Sequence, residues 1–129
     1  MREIFIEELY IAARKNKRIM LVVNDLGYSV IEKFAKDLPR QFINAGVAEQ
    51  NMIGLAAGLA LGGKRVFVYS IGNFPTFRSA EQIRNDIDYH KLPVTIVNAG
   101  AGVGYGNLGY SHHTLQDYSL VRTMPNFLI

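Results

Sequence analysis

Glu49 is the residue of this sequence whose setting most invites chemistry. It lies in the run Asn44-Ala45-Gly46-Val47-Ala48-Glu49-Gln50-Asn51-Met52-Ile53-Gly54. The spacing predicts a helix over 48–61, with the acid in its first turn and Gly54, Ala56, Ala57, Gly58 and Ala60 behind it. A carboxylate at that end meets the positive pole of the helix, an effect worth about 0.3–1 kcal/mol that suffices to explain an acid there. The glycines are harder to explain, because each glycine inside a helix costs roughly 1 kcal/mol against alanine. A helix this slim gains something by letting a partner or a flat ligand approach.

Three more groups carry side chains that could act. Asn73-Phe74-Pro75-Thr76-Phe77-Arg78 places two aromatic rings beside a proline, which suits either a flat apolar pocket or packing on the core. Gly104-Tyr105-Gly106-Asn107-Leu108-Gly109 fits the dinucleotide pattern G-x-G-x-x-G. No helix is predicted directly after it and no acid follows about 20 residues on, so nucleotide binding is not expected there. Ser111-His112-His113 offers an imidazole able to act as acid, base or donor near neutral pH, or a loop histidine satisfied by backbone. Adjacent histidines with no acid at ligand spacing do not make a zinc site.

The elements that must position these groups alternate. Phe5, Leu9, Ala12 and Ala13 predict a helix over 2–16, and Ile19 to Val23 is an apolar run suited to a strand covered on both faces. A short helix over 29–36, stopped by Pro39, and a brief strand at Phe42-Ile43 follow. Gly62-Gly63 ends the slim helix. Strands are expected at 66–69 and 94–97, with a helix marked by Ala80, Ile83 and Ile87 between them. Thr114 and Asp117 read as a capping box for a last short helix that Pro125 ends, and Phe127-Leu128-Ile129 reads as the start of another strand. The sum is an α/β fold, a mostly parallel sheet with helices on both faces. Ligands of such sheets bind at the carboxyl ends of the strands. The loops there are 24–29, 44–49, 70–78 and 98–113, and these hold the candidate residues.

Bulk properties narrow the class. The chain has 129 residues, 49% hydrophobic and 19% charged, which is one small globular domain. Its net charge of +3 comes from scattered basic residues, so no stripe points to nucleic acid. The absence of cysteine excludes disulfides and suits a reducing compartment. Nothing resembles a signal peptide, and the apolar stretch Asn51 to Gly63 is too short for a bilayer. A cytoplasmic protein, off the membrane, is expected.

Taken together, the segments resemble the pyrimidine-binding domain of the transketolase family. The matching residues are Asp25 with Ser29, Gly46-Val47-Ala48-Glu49-Gln50, Phe74 with Phe77, Leu92-Pro93-Val94, Ser111-His112-His113 and Pro125-Asn126. The likeness covers nearly the whole chain and is strongest to the C-terminal subunits of split transketolase-like enzymes. It implies thiamine diphosphate as cofactor. Glu49 would hydrogen-bond a ring nitrogen of the aminopyrimidine and activate the cofactor for moving a two-carbon ketol unit between sugars. For this the glutamate would hold a proton, favoured by burial at a subunit interface. The resemblance further implies that Asp25, Phe74 and Phe77 contact the cofactor. Phe74 or Phe77 would pack on the ring, Pro75 taking that place under a one-residue shift. Ser29, His112 and His113 would meet substrate, with His112 also serving the reaction.

Two departures qualify the likeness. Leu108 stands where metabolic transketolases have an aspartate, so a sugar other than the usual sugar phosphate is in view. The Gly-Asp-Gly that holds the diphosphate through Mg2+ or Ca2+ is missing. The metal and diphosphate are thus expected on a partner chain, in a homo- or hetero-oligomer, and this chain reads as an incomplete pyrimidine domain over 1–129. The readings left open are a deoxyxylulose-phosphate-synthase-like or keto-acid dehydrogenase beta-like subunit, a non-catalytic dimerisation or regulatory remnant, and an unrelated α/β binding module.

Overall fold

The computed structural model describes all of residues 1–129. Helix α1 (Arg2–Lys15) buries Ile6, Leu9 and Ala13, a stripe at i, i+3 and i+7 that faces the sheet. Ala12 of the expected stripe is exposed, and Ile6 takes its place in the core. Strand β1 (Ile19–Val23) is buried at all five positions. Strands β2 (Phe42–Asn44), β3 (Arg65–Ile71) and β4 (Val94–Ala99) complete a four-stranded sheet in the order β2-β1-β3-β4. Every pairing is parallel, with Val22 opposite both Ile43 and Val68, and Val68 opposite Ile96.

Successive strand residues point to opposite faces, and each face has its own core. Met20, Val22, Val66 and Val68 pack with Met52, Ile53, Ala56 and Ala60 of helix α3 (Glu49–Leu61) and with Ile83 and Ile87. Ile19, Leu21, Val23 and Tyr69 pack with α1 and with Phe34 of helix α2 (Glu32–Asp37). The chain leaves β1 toward one edge and β3 toward the other. Right-handed crossovers running in opposite directions put their helices on opposite faces, as α2 and the helix before β4 are placed. The switch falls between β1 and β3, where parallel sheets leave a crevice at their carboxyl ends.

Four local expectations are corrected. Ser29 does not begin a helix. Its φ is +66°, and its N–H donates to the Glu32 carboxylate at 2.7 Å, so α2 starts at Glu32. The segment 70–78, expected as loop, extends β3 to Ile71 and then forms helix α4 (Asn73–Arg78). Pro75 is in the first turn of α4, where a missing N–H loses nothing. After it α5 (Ala80–Gln82) runs straight into a wider π-helical turn, Ile83–Asp88. The capping box at Thr114 does not form, because Thr114 bridges Gly102 in an antiparallel contact and helix α6 (Asp117–Val121) begins behind Gln116. Phe127-Leu128-Ile129 is not a strand. It lines a cavity of about 640 Å3 beside β4 together with Ile83, Ile87 and Ile96.

Candidate active site

Asn24 follows the last residue of β1 and is 1% exposed. Its Nδ2 donates to Glu49 Oε1 at 3.0 Å. Glu49 is the first residue of α3 and is 6% exposed. Arg78, at the last position of α4, donates from Nη1 to the same Oε1 at 2.7 Å. One carboxylate oxygen thus takes both donors, and Oε2 takes no hydrogen bond within the chain. Elements following three different strands meet at the switch point to make this group. Four residues before Arg78, on the same face of α4, Phe74 carries the guanidinium over its ring at 4.2 Å from the centroid.

The histidine loop closes on this group from β4. The His112 ring stands edge-on to Phe74 at 5.3 Å and to Tyr105 at 5.9 Å. Ser111 Oγ lies 3.0 Å from His112 Nδ1, and Asn73 Nδ2 donates to the Ser111 carbonyl at 2.6 Å, tying the loop to the start of α4. His113 is turned to another task, since its Nε2 donates to the Gly106 carbonyl at 2.9 Å. Two glycines allow the close approach. A Cβ on Gly72 would meet Asn98 and Thr114 at 3.0 Å, and one on Gly100 would lie 2.1 Å from the Tyr105 ring, at a φ of +72° besides.

None of the other expected residues hydrogen-bonds Glu49. Asp25 and Asn44 hold each other, the Asp25 N–H donating to Asn44 Oδ1 at 2.9 Å and Asn44 Nδ2 to Asp25 Oδ1 at 3.0 Å. Ser29 lines a small cavity with Tyr10, Lys33 and Phe34. Phe77 is 43% exposed and Pro75 is buried. Asn24 and Arg78 were not singled out by the sequence. The signal for Asn24 was its place directly after five apolar strand residues. For Arg78 it was the four-residue spacing from Phe74. The large cavity beside β4 does not include Glu49, and its apolar lining is that of a sheet edge.

The sequence profile described as "Transketolase, pyrimidine binding domain" matches residues 1–129. The chain belongs to that family. It is 43% identical over 129 residues to an apulose-4-phosphate transketolase subunit of Phocaeicola vulgatus, covering 99% of this chain and 41% of that protein. It is 33% identical over 130 residues to 6-deoxy-6-sulfo-D-fructose transketolase subunit SqwH of a Clostridium species, covering 100% of this chain and 40% of that one. A solved structure titled as a split gene transketolase, an inactive beta4 tetramer, superposes with a TM-score of 0.81 at 38% identity over 96% of this chain and 40% of that one. The chain therefore spans about two fifths of the length of these relatives.

Membership in the transketolase family implies thiamine diphosphate, and the residues present fit one half of it. A flat amino-substituted ring needs a carboxyl group, an apolar face and a hydrogen-bond acceptor. Here Glu49 Oε2 is uncommitted, Phe74 offers a ring, and the buried Asn24 Oδ1 receives no hydrogen bond. The chain has no group of three or more His, Cys, Asp or Glu residues placed to hold a metal. No helix is long and apolar enough to cross a membrane.

Proposed function

We propose that this chain supplies Glu49 to a thiamine-diphosphate site completed by a partner chain. The assembled enzyme, in the cytoplasm, moves a two-carbon ketol unit between sugars or sugar phosphates. The observation that carries this reading is the half-used carboxylate of Glu49, buried at the switch-point crevice beside an aromatic ring. When bound, the cofactor supplies an electron sink for breaking a carbon–carbon bond.

The chain's own residues bind, orient and hold a proton. Asn24 fixes Oε1 of Glu49, so that Oε2 faces a ligand in one orientation. A protonated Glu49 would donate from Oε2 to a ring nitrogen. Phe74 would pack on the ring, with Phe77 a second aromatic near the crevice mouth. His112, set by Ser111 and by the rings of Phe74 and Tyr105, is the imidazole available to a substrate hydroxyl. Asp25, Ser29 and His113 serve through the loops they brace, at the edge of cofactor and substrate. Mg2+ or Ca2+ and the diphosphate would be held by a partner chain carrying the Gly-Asp-Gly that this sequence lacks.

The outer face of α3 supports association. Gln50, Asn51, Gly54, Gly58 and Leu61 are exposed, and a Cβ built on Gly54 or Gly58 meets nothing within 4 Å. No contact within the chain requires those two glycines, so a second chain seated on that face accounts for them.

The reading is tested by capturing the native complex on tagged chain and titrating thiamine diphosphate with Mg2+. Tight binding to the complex that weakens in Glu49→Ala is the expected result. Equal binding by the Glu49→Ala complex overturns it.

A further inference from the structure

We propose that Arg78 is a placeholder: its guanidinium occupies the crevice position of the cofactor's aminopyrimidine ring, and the ring must displace it to bind. This rests on the reading of Glu49 and Phe74 as the ring's contacts.

The guanidinium is flat, carries N–H donors in its plane and stacks well on aromatic faces. A flat aminopyrimidine recognised by Glu49 and Phe74 would need the same ring face and the same carboxyl group, at the Oε2 beside the Oε1 that Arg78 holds. Arg78 engages both at once, donating to Glu49 Oε1 at 2.7 Å and lying 4.2 Å from the Phe74 centroid. It has no other hydrogen bond within the chain, so nothing holds it in place besides the two residues assigned to the ring. Its side chain is 50% exposed, against 6% for Glu49. A long side chain in that position can swing into water once the ring takes its place against Glu49, because the guanidinium itself is half exposed and readily hydrated. Asn24, bonded to Glu49 from the strand side, stays behind and keeps the carboxyl group in place.

Such a placeholder fits a subunit that has to persist before its partner and cofactor arrive. Glu49 is too buried to be left without a partner cheaply. A guanidinium that covers the carboxylate and the aromatic face keeps the crevice satisfied and shields an otherwise adhesive patch. The consequence is a built-in competition between this arm and the ring.

The test uses this chain and the ring alone, 4-amino-2-methylpyrimidine, so that diphosphate and metal contacts play no part. Affinity is read from amide shifts in NMR titrations of the wild type, Arg78→Ala, Arg78→Lys and Glu49→Ala. The Arg78 Nε–Hε signal reports release of the guanidinium directly. Arg78→Ala should bind the ring roughly threefold to tenfold more tightly than the wild type, the scale of a half-exposed ion pair plus a surface cation–π contact. Arg78→Lys, which keeps the charge but not the flat stack, should fall between them. Should Arg78→Ala fail to fold, Arg78→Lys still has to bind more tightly than the wild type. If the substitutions leave affinity unchanged or weaken it while Glu49→Ala abolishes binding, Arg78 is an anchor for Glu49, and the placeholder is wrong though the ring site stands. If Glu49→Ala binds as the wild type does, or if no variant binds, the ring-site reading itself falls and takes the placeholder with it.

Discussion

Gln41 and Glu49 are both buried polar residues beside the same sheet, and they are used in opposite ways. Gln41, 4% exposed, shares its Nε2 among the carbonyls of Ala13, Asn16 and Ile19 at 3.0, 3.2 and 2.9 Å. Ala13 is in the last turn of α1, where a helix leaves its last acceptors without partners, Asn16 caps that helix, and Ile19 begins β1. The amide therefore closes the α1–β1 junction at the amino end of the sheet. Glu49, at the carboxyl end, has one oxygen doubly engaged and the other free of the chain. A buried polar group saturated by its own backbone holds the fold. One left half-satisfied beside an aromatic ring is prepared for something else.

The largest effect expected from this contrast is on turnover. Glu49→Gln keeps the shape and an oxygen that can accept from Asn24, but it cannot hold and release the proton. In the assembled enzyme kcat should fall by about 100-fold or more, the scale of a lost acid–base group. The thermal midpoint of the chain should hardly move, because the ion pair lost is half exposed on the Arg78 side. A variant that keeps most of its turnover would remove the distinction between the two residues.

Gln41→Leu is the converse. It leaves two buried helix and strand carbonyls without their donor, and each such loss costs about 1–3 kcal/mol. Urea unfolding should show a destabilisation of at least that size. Cofactor affinity of the complex should be unchanged. A Gln41→Leu variant that folds as stably as the wild type would mean that the junction is held by α1 packing alone.

The outer face of α3 sharpens the contrast in another way, since it is unsatisfied by packing and not by hydrogen bonding. Replacing Gly54 and Gly58 by alanine should stabilise the separate chain by up to about 1 kcal/mol per site. The same pair of methyl groups should weaken assembly, read by analytical ultracentrifugation. If assembly is unaffected, the partner sits on another face.

What could be seen in advance of the structure follows the range of the interaction. The run Ile19–Val23 announced a strand covered on both faces, and Gly62-Gly63 announced the end of α3; both are local signals, and both hold. The position of Glu49 at the start of α3 was legible for the same reason. Its partners were not. Asn24 and Arg78 lie 25 and 29 residues away from it in sequence, and only the strand order brings β1, α3 and α4 to one crevice. The segment 70–78 was read as a loop, yet it forms α4, with Pro75 in the first turn, where proline is tolerated. Thr114 misled because its local pattern fits a cap, while the bridge to Gly102 claims it for the histidine loop.

Glu32 supplies the third case, a carboxylate saturated by backbone and standing in water. Its Oε1 accepts the Ser29 N–H at 2.7 Å. Its own backbone N–H, then that of Ser29 and of Ile31, hold its carboxyl below the usual glutamate range, against a smaller opposing effect of desolvation. A depressed carboxylate adds stability that is fully present above the unfolded-state value and is lost as the pH falls through the folded-state value. The first turn of α2 should therefore tighten above the ordinary glutamate range and loosen in acid. Carbon-detected titration of the Glu32 carboxyl should show the low midpoint, and the Ser29 amide signal should move with it. Glu32→Gln should remove that acid-dependent step at Ser29 while leaving the Arg78–Glu49 pair as it was. Should the Ser29 amide ignore the titration of Glu32, the start of α2 is set by the left-handed turn at Ser29 and not by the carboxylate.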